Sequence, residues 1–195
     1  MNEDLPHMRA ALALARRGLG NAWPNPAVGC VLVKEGRVIG RGWTQPGGRP
    51  HAETEALRRA GDAARGATAY VTLEPCSHHG RTPPCCEALA EAGIARVVMA
   101  MRDPDPRVNG RGLAMLRGAG IAVEEGLLEA EARALNAGFF RRIQAGMPVV
   151  TLKLASTLDG RIATASGESR WITGEAARRE VHALRARHDA ILVGS

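Results

Sequence analysis

The feature that most constrains this chain is a group of histidines and cysteines divided between two short motifs. The first motif reads P-H-A-E at residues 50–53, and the second reads E-P-C-S-H-H-G-R-T-P-P-C-C at residues 74–86. A catalytic zinc ion takes three protein ligands and leaves its fourth position for water. One imidazole and two thiolates supply such a set and balance the two positive charges of the metal. The sequence therefore predicts that the fold brings both motifs together around a zinc ion.

The predicted ligands lie where helices begin and where a strand ends. His51 opens a predicted helix that continues to Ala60, and Cys76 follows a predicted strand. The third ligand is Cys85 or Cys86, at the start of a helix that two prolines precede. The partial positive charge at a helix N-terminus lowers the pKa of a nearby thiol and favours the metal-binding thiolate. The pattern predicts a His/Cys/Cys site, and the spacing leaves the choice between the two adjacent cysteines open.

A separate role is predicted for Glu53. It lies two residues after His51, so on a regular helix the two side chains point in different directions. If His51 binds the metal, Glu53 can reach a water at the metal and move its protons without becoming a ligand. His-x-Glu followed by Pro-Cys and a second cysteine is the signature of zinc nucleobase deaminases. The alternative is a binding module whose structural zinc takes a fourth ligand from His78, His79 or Cys86.

The segment between the cysteines is unusually long for a deaminase. It spans the eight residues 77–84, where the common spacing is about two residues. Ser77, His78 and Arg81 are candidates to line a substrate pocket, and Arg81 could hold a phosphate group. Asn25, between two prolines, is a candidate to bind a base edge with its amide, although such an asparagine is more often structural.

Composition favours a small acidic substrate over nucleic acid or a membrane. The formal net charge is +6, and aromatic residues make up only 3% of the chain. A basic chain favours acidic partners, whereas proteins that bind single strands stack bases on aromatic rings. No apolar run approaches the roughly 18 residues of a membrane helix, and the first residues do not resemble a signal peptide. We therefore expect a cytoplasmic protein that binds a phosphorylated small molecule and has no nucleic-acid or membrane partner.

Helix and strand patterns alternate along most of the chain, which predicts a three-layer α/β/α domain. The expected helices cover residues 4–17, 51–60, 85–92, 112–117 and 128–145. The expected strands cover residues 28–33, 37–42, 69–73, 96–101 and 121–123.

The sequence G-M-P at 146–148 predicts a boundary between two units, 1–146 and 147–195. The second unit is expected to contain a strand at 149–154, a helix at 175–187 and a strand at 190–193. At under fifty residues it is too small to bury its own apolar strands, so we expect the opening of a larger domain that is truncated here. An unfinished core would seek partners, which favours a homo-oligomer.

The motifs resemble those of the bacterial bifunctional riboflavin biosynthesis enzymes, in which a pyrimidine deaminase is fused to a reductase. The resemblance is carried by N-P-x-V-G from Asn25, by H-A-E from His51, and by the long motif with its expanded loop between cysteines. It implies a cytidine-deaminase-like fold and zinc bound by His51, Cys76 and Cys85. It also implies that Glu53 is the proton donor.

The substrate implied by this resemblance is 2,5-diamino-6-(ribosylamino)-4(3H)-pyrimidinone 5'-phosphate. Hydrolytic deamination would convert it to 5-amino-6-(5-phosphoribosylamino)uracil, with release of ammonia from the ring carbon that carried the amine. A zinc deaminase that acts on tRNA adenosine or on a free nucleoside or nucleobase is the alternative.

Two stretches of the tail, L-K-L-A-S-T-L-D-G-R and S-G-E-S-R-W-I-T, are similar to the start of that family's reductase. The resemblance implies the opening of a dihydrofolate-reductase-like α/β domain that uses NADPH to reduce the ribosyl to a ribityl side chain. By matched position, Ala155 and Trp171 would contact NADPH. Ser169 and Arg185 would bind the substrate.

Overall fold

A computed structural model describes residues 3–80, 82–105 and 108–194 of the chain. These residues contain a five-stranded sheet. The strands are β1 (Gly29–Lys34), β2 (Arg37–Trp43), β3 (Thr68–Val71), β4 (Arg96–Met99) and β5 (Ala122–Glu125). Their order across the sheet is β2-β1-β3-β4-β5.

The sheet is mixed: β2, β1 and β3 pair antiparallel, and β3, β4 and β5 pair parallel. β1 and β2 form an antiparallel hairpin, and its turn contains Gly36 with a positive φ of 71°. β3 is antiparallel to β1, whereas β3, β4 and β5 run parallel. Parallel neighbours need a crossover connection, which is here a helix in each case. The carboxyl ends of β3 and β4 therefore lie at one edge of the sheet.

Seven α-helices surround the sheet or follow it in the described chain. They are α1 (Asp4–Ala15), α2 (Ala52–Ala60), α3 (Cys85–Glu91), α4 (Arg111–Gly118), α5 (Glu129–Leu135), α6 (Ala137–Ala145) and α7 (Glu175–Ala186). No helix in these described ranges is both long and apolar enough to cross a membrane.

Two glycines show that α1 and α2 cover opposite faces of the sheet. A Cβ at Gly29 would overlap the carbonyl oxygen of Ala11 in α1, and a Cβ at Gly42 would overlap that of Ala52 in α2. In the β1–β2 register Gly42 is opposite Cys30, the neighbour of Gly29. Because successive residues of a strand point to opposite faces, the two glycines face opposite sides. The predicted three-layer arrangement is confirmed, and the buried strands β1, β3 and β4 form its core.

The single helix predicted for residues 128–145 is wrong, because α5 ends and α6 begins at Asn136. Asn136 has φ −103° and ψ 21°, outside the α-helical region. Its buried side chain accepts a hydrogen bond from the Ala27 N–H and donates one to the Ala27 carbonyl, each at 2.9 Å. These two hydrogen bonds fix Asn136 against the loop before β1, and α5 and α6 meet at Asn136.

The strands predicted at 149–154 and 190–193 do not form, although the helix between them does. Both segments lack strand hydrogen bonding in the described chain. Apolar side chains that the prediction would bury, including Val150, Leu152 and Leu192, are instead exposed. A β-strand exists only when a neighbouring strand pairs with its backbone groups, and neither segment has such a neighbour among the described residues.

Candidate metal centre and active site

His51 is placed by the loop that leads into α2. It follows Pro50 and is the residue that precedes the first turn of α2, with an extended backbone (φ −70°, ψ 161°). From there its half-buried imidazole reaches two cysteine side chains. Its Nδ1 lies 3.6 Å from the Cys76 Sγ and 3.3 Å from the Cys85 Sγ.

Cys76 lies within the long loop between β3 and α3, and Cys85 follows that loop. Cys85 is the first residue of α3, and its backbone N–H donates a hydrogen bond to the Cys76 Sγ at 3.3 Å. The Cys86 N–H donates to the Cys76 carbonyl at 3.2 Å. The beginning of α3 therefore holds both the backbone and the sulfur of Cys76.

These three side chains fit a zinc ion. Their ligand atoms all lie within 4.8 Å of one another, so His51, Cys76 and Cys85 are positioned to bind a metal. A tetrahedral zinc with bonds of about 2.3 Å to sulfur and about 2.05 Å to nitrogen separates those atoms by about 3.6 Å. The observed separations of 3.3 and 3.6 Å are close to that value.

Cys86, which the sequence pattern left as an alternative to Cys85, points away from this group. Its Sγ donates to the carbonyl of Pro75 at 3.2 Å and lies 3.5 Å from that of Gly112. Burial raises the pKa of the Cys86 thiol, which keeps it protonated. Cys86 is therefore placed as a backbone-binding thiol and not beside His51.

The electrostatics of the group favour a thiolate at Cys76. Hydrogen bonding from the Cys85 thiol, then from His51 and from the Cys85 N–H, lowers the Cys76 pKa to about 4. The interaction with Cys76 in turn raises the pKa of His51 and of the buried Cys85. The Cys76 thiolate therefore carries a negative charge and is hydrogen-bonded to His51 and Cys85, which suits a cation-binding site.

Glu53 lies in the first turn of α2 and is only 4% exposed. Burial, assisted by the charge of Cys76, raises its pKa to about 7, against the opposing effect of His51. A carboxyl group with this pKa can both release and take up a proton near neutral pH. It lines the same cavity as His51 and Cys76.

That cavity has a volume of about 310 Å³ and is lined by polar, apolar, cationic and acidic groups. Asn25 and His78, both predicted from the sequence, line it. The Asn25 amide donates to the Gly48 carbonyl at 2.8 Å and lies 3.4 Å from the His51 Nε2. The His78 Nδ1 is buried and has no hydrogen-bond partner among the residues that the structure describes. Arg81 lies outside the described residues.

The sequence reading missed several cavity residues. Arg49 lines the cavity and donates to the Thr82 hydroxyl at 2.7 Å; its place two residues before His51 was a usable signal. Phe139 and Arg142 of α6 also line it, and the Arg142 guanidinium donates to the Pro24 carbonyl at 2.7 Å. No local motif marks these two, because only the fold brings α6 to the cavity.

The four residues predicted for the reductase do not converge in the described chain. Ser169 and Arg185 are exposed, Ala155 is half-buried, and Trp171 is 70% exposed. The Trp171 ring lies 4.4 Å from the guanidinium of Arg178. None of the four lines the cavity beside Glu53 or a larger cavity formed against α5, α6 and the tail. Their roles stay predictions.

The chain belongs to the family described as the cytidine and deoxycytidylate deaminase zinc-binding region, which matches residues 1–101. Residues 148–195 match the family described as the RibD C-terminal domain.

Within this class the chain is similar to the RibD proteins, which confirms the resemblance to the riboflavin biosynthesis enzymes. "Riboflavin biosynthesis protein RibD" of Escherichia coli (strain K12) is 58% identical over 193 residues, covering 99% of this chain and 53% of that protein. The solved structure of Acinetobacter baumannii RibD (form 1) is 56% identical with a TM-score of 0.85, covering 94% of this chain and 52% of that chain.

A third relative is named for both activities. The crystal structure of a diaminohydroxyphosphoribosylaminopyrimidine deaminase/5-amino-6-(5-phosphoribosylamino)uracil reductase from Thermotoga maritima is 46% identical. Its TM-score is 0.88, and the match covers 94% of this chain and 53% of that one. The chain thus spans about half the length of the relatives it matches.

Proposed function

We propose that this chain catalyses the zinc-dependent deamination of 2,5-diamino-6-(ribosylamino)-4(3H)-pyrimidinone 5'-phosphate in riboflavin biosynthesis. The observation that carries the proposal is the grouping of His51, Cys76 and Cys85 at a cavity that His51 and Cys76 line together with the buried carboxyl of Glu53. The Thermotoga relative, named for this deamination and the following reduction, supports the choice of substrate.

His51, Cys76 and Cys85 would hold the metal, and the chemistry that zinc supplies in such a site is the activation of water near neutral pH. Glu53 takes a proton from the attacking water and delivers it to the departing amino group. Its pKa of about 7 suits both transfers, because the group is partly protonated at neutral pH. Water is consumed, the carbon–nitrogen bond breaks, and ammonia leaves a uracil-type ring.

The remaining cavity groups would bind and orient the substrate. The guanidinium groups of Arg49 and Arg142 suit the phosphate, since planar guanidinium donors match phosphate oxygens. Asn25 and His78 offer hydrogen bonds to the ring and to the ribose. Arg81 is proposed as a further phosphate ligand from its place in the sequence.

The test is the Glu53→Gln variant, with Glu55→Gln as the matched control on the same helix. The Glu55 carboxylate pairs with Arg58 and Arg59, so its loss should leave deamination close to wild type. Glu53→Gln should retain about one zinc per chain and lose about 10²–10⁴-fold in deamination rate. Near-wild-type deamination by Glu53→Gln would refute the role of this carboxyl.

Substrate choice is tested by offering the diaminopyrimidinone ribotide, cytidine and a tRNA anticodon stem side by side. We expect ammonia release from the ribotide alone. Preferred turnover of cytidine or of the tRNA would replace the proposal with the corresponding alternative, a nucleoside deaminase or a tRNA adenosine deaminase.

We further propose that residues 1–146 form the deaminase unit and that residues 147–195 form the first part of an NADPH-dependent reductase unit. The match of residues 148–195 to the RibD C-terminal domain supports this division. Ala155 and Trp171 would contact NADPH. Ser169 and Arg185 would bind the deaminated product.

Because the two predicted strands of this unit have no neighbours in the described residues, we expect the chain by itself not to oxidise NADPH with the deaminated product. Steady NADPH oxidation would contradict that expectation. We also propose that the protein is cytoplasmic and does not act on nucleic acid. We propose further that it forms a homo-oligomer, because exposed apolar side chains of the tail, such as Leu152 and Leu154, favour burial against further protein. A monomer in light scattering would refute the oligomer.

A further inference from the structure

Glu74 immediately precedes Pro75-Cys76 and is buried, yet the proposed mechanism gives it no part. Its Oε1 accepts from the N–H groups of Gly112 at 2.9 Å and Leu113 at 3.4 Å. Its Oε2 accepts from those of Gly110 at 3.0 Å and Asp103 at 3.3 Å. One carboxylate thus takes four backbone donors, three of them around the beginning of α4, where unpaired N–H groups attract a negative charge.

The same end of α4 also packs directly on the backbone that carries Cys76. A Cβ at Gly112 would overlap the Pro75 carbonyl oxygen and lie 3.0 Å from the Glu74 Oε1, so no space separates them. The Cys86 thiol bridges the two backbones by its contacts with the carbonyls of Pro75 and Gly112. On the other side, the Glu74 N–H donates to the Met101 carbonyl at 3.0 Å.

We propose that Glu74 is a positioning residue for the metal site, acting through the backbone of Pro75 and Cys76. It fixes this segment to α4, a helix whose own side chains supply none of the three metal-binding groups. Groups that orient a metal ligand without touching the metal commonly change metal affinity by 10–100-fold. The inference rests on the proposed use of Cys76 as a ligand.

A carboxylate that only caps α4 would predict a different result. Its loss would lower the thermal stability of the metal-free and the zinc-loaded protein equally and leave zinc affinity unchanged. A positioning role predicts weaker zinc binding, and therefore a larger loss of stability in the zinc-loaded protein than in the metal-free protein.

The experiment compares Glu74→Gln with Glu91→Gln, an exposed carboxylate on α3. Glutamine keeps one acceptor oxygen but turns an NH₂ group towards backbone donors, so the cap is only half retained. We expect Glu74→Gln to bind Zn²⁺ about 10–100-fold more weakly in competition with a chelator. We also expect a shifted thiolate-to-metal absorption band when Co²⁺ is bound. Glu91→Gln should match the wild type in both measurements.

Wild-type zinc affinity and an unchanged cobalt band in Glu74→Gln would overturn the inference. If that variant does not fold, Glu74→Asp keeps the charge but withdraws it by one methylene, and unchanged zinc affinity in this variant would equally overturn it. Failure of the proposed function has a separate sign, which is the absence of ribotide turnover by zinc-loaded wild-type protein. The zinc comparison stays informative in that case.

Discussion

Asn136 joins the α5–α6 pair to the loop before β1, and its replacement by alanine should be costly. Asn136→Ala removes both hydrogen bonds to Ala27, each 2.9 Å long, from a side chain that is almost fully buried. The Ala27 N–H and carbonyl are then left without these partners. Because α6 carries part of the cavity wall, the loss should also weaken substrate binding.

The magnitude follows from the two backbone groups. Leaving a buried donor or acceptor unsatisfied costs about 1–3 kcal/mol, so two groups set a range of about 2–6 kcal/mol. Alanine leaves space in which water can partly satisfy the Ala27 N–H and carbonyl. We therefore expect a loss in the lower part of that range, about 2–4 kcal/mol. Asn136→Asp can still accept from the Ala27 N–H, but it cannot donate to the Ala27 carbonyl and it buries a carboxylate oxygen against that carbonyl, so it should lose at least as much as alanine.

The assay is urea unfolding of zinc-loaded protein, with Asn21→Ala as the control because Asn21 is exposed. The free energy of unfolding should be lower in Asn136→Ala and in Asn136→Asp than in the control. The KM for the ribotide should rise in Asn136→Ala more than kcat falls. A change below about 0.5 kcal/mol in Asn136→Ala, the range of ordinary surface substitutions, would refute the reasoning.

Two further predictions concern contacts between the sheet and its helices, at Gly42 of β2 and at Asp4 of α1. Gly42→Ala should lose about 1–3 kcal/mol of stability and weaken zinc binding, because the new Cβ overlaps the Ala52 carbonyl where α2 begins. Gly118→Ala should do neither, because its new Cβ would have no described atom within 4 Å apart from its own helix backbone and chain neighbours. Equal melting temperatures of these two variants would contradict the close packing. The Asp4 pKa is lowered from 3.8 to about 2, mainly by its hydrogen bond from Arg96, so its contribution to stability is present above about pH 4 and is lost as the pH falls towards 2. Asp4→Asn should therefore flatten the decrease of melting temperature across that interval, and an unchanged pH profile would exclude the contribution.

The metal-binding group could be predicted from sequence because its signals are local. His51 begins a helix, Cys76 follows a strand, and two prolines precede Cys85. Each residue of a metal-binding type thus lies at or near a predicted end of a helix or strand. The choice between Cys85 and Cys86 could not be made this way. Adjacent helical residues point about 100° apart, and only the direction of α3 against the sheet decides which sulfur faces His51.

The wrong or missing predictions concern features that depend on residues distant in sequence, which a local pattern does not show. The break at Asn136 depends on Ala27, 109 residues earlier. The segments 149–154 and 190–193 have the composition of strands, but composition does not supply a neighbouring strand. Phe139 and Arg142 look like ordinary residues of an amphipathic helix, and their place at the cavity follows from how α6 packs.

The contribution of α6 to the cavity divides the site between two stretches of sequence. The metal-binding residues and Glu53 lie within residues 1–101, whereas Phe139, Arg142 and Ile143 lie between the two segments that match known families. A substitution in α6 can reshape the wall without changing Glu53 or the three residues that are positioned to bind a metal. We therefore expect that substitutions in α6 can change which molecule the cavity accepts while the proposed catalytic residues stay the same.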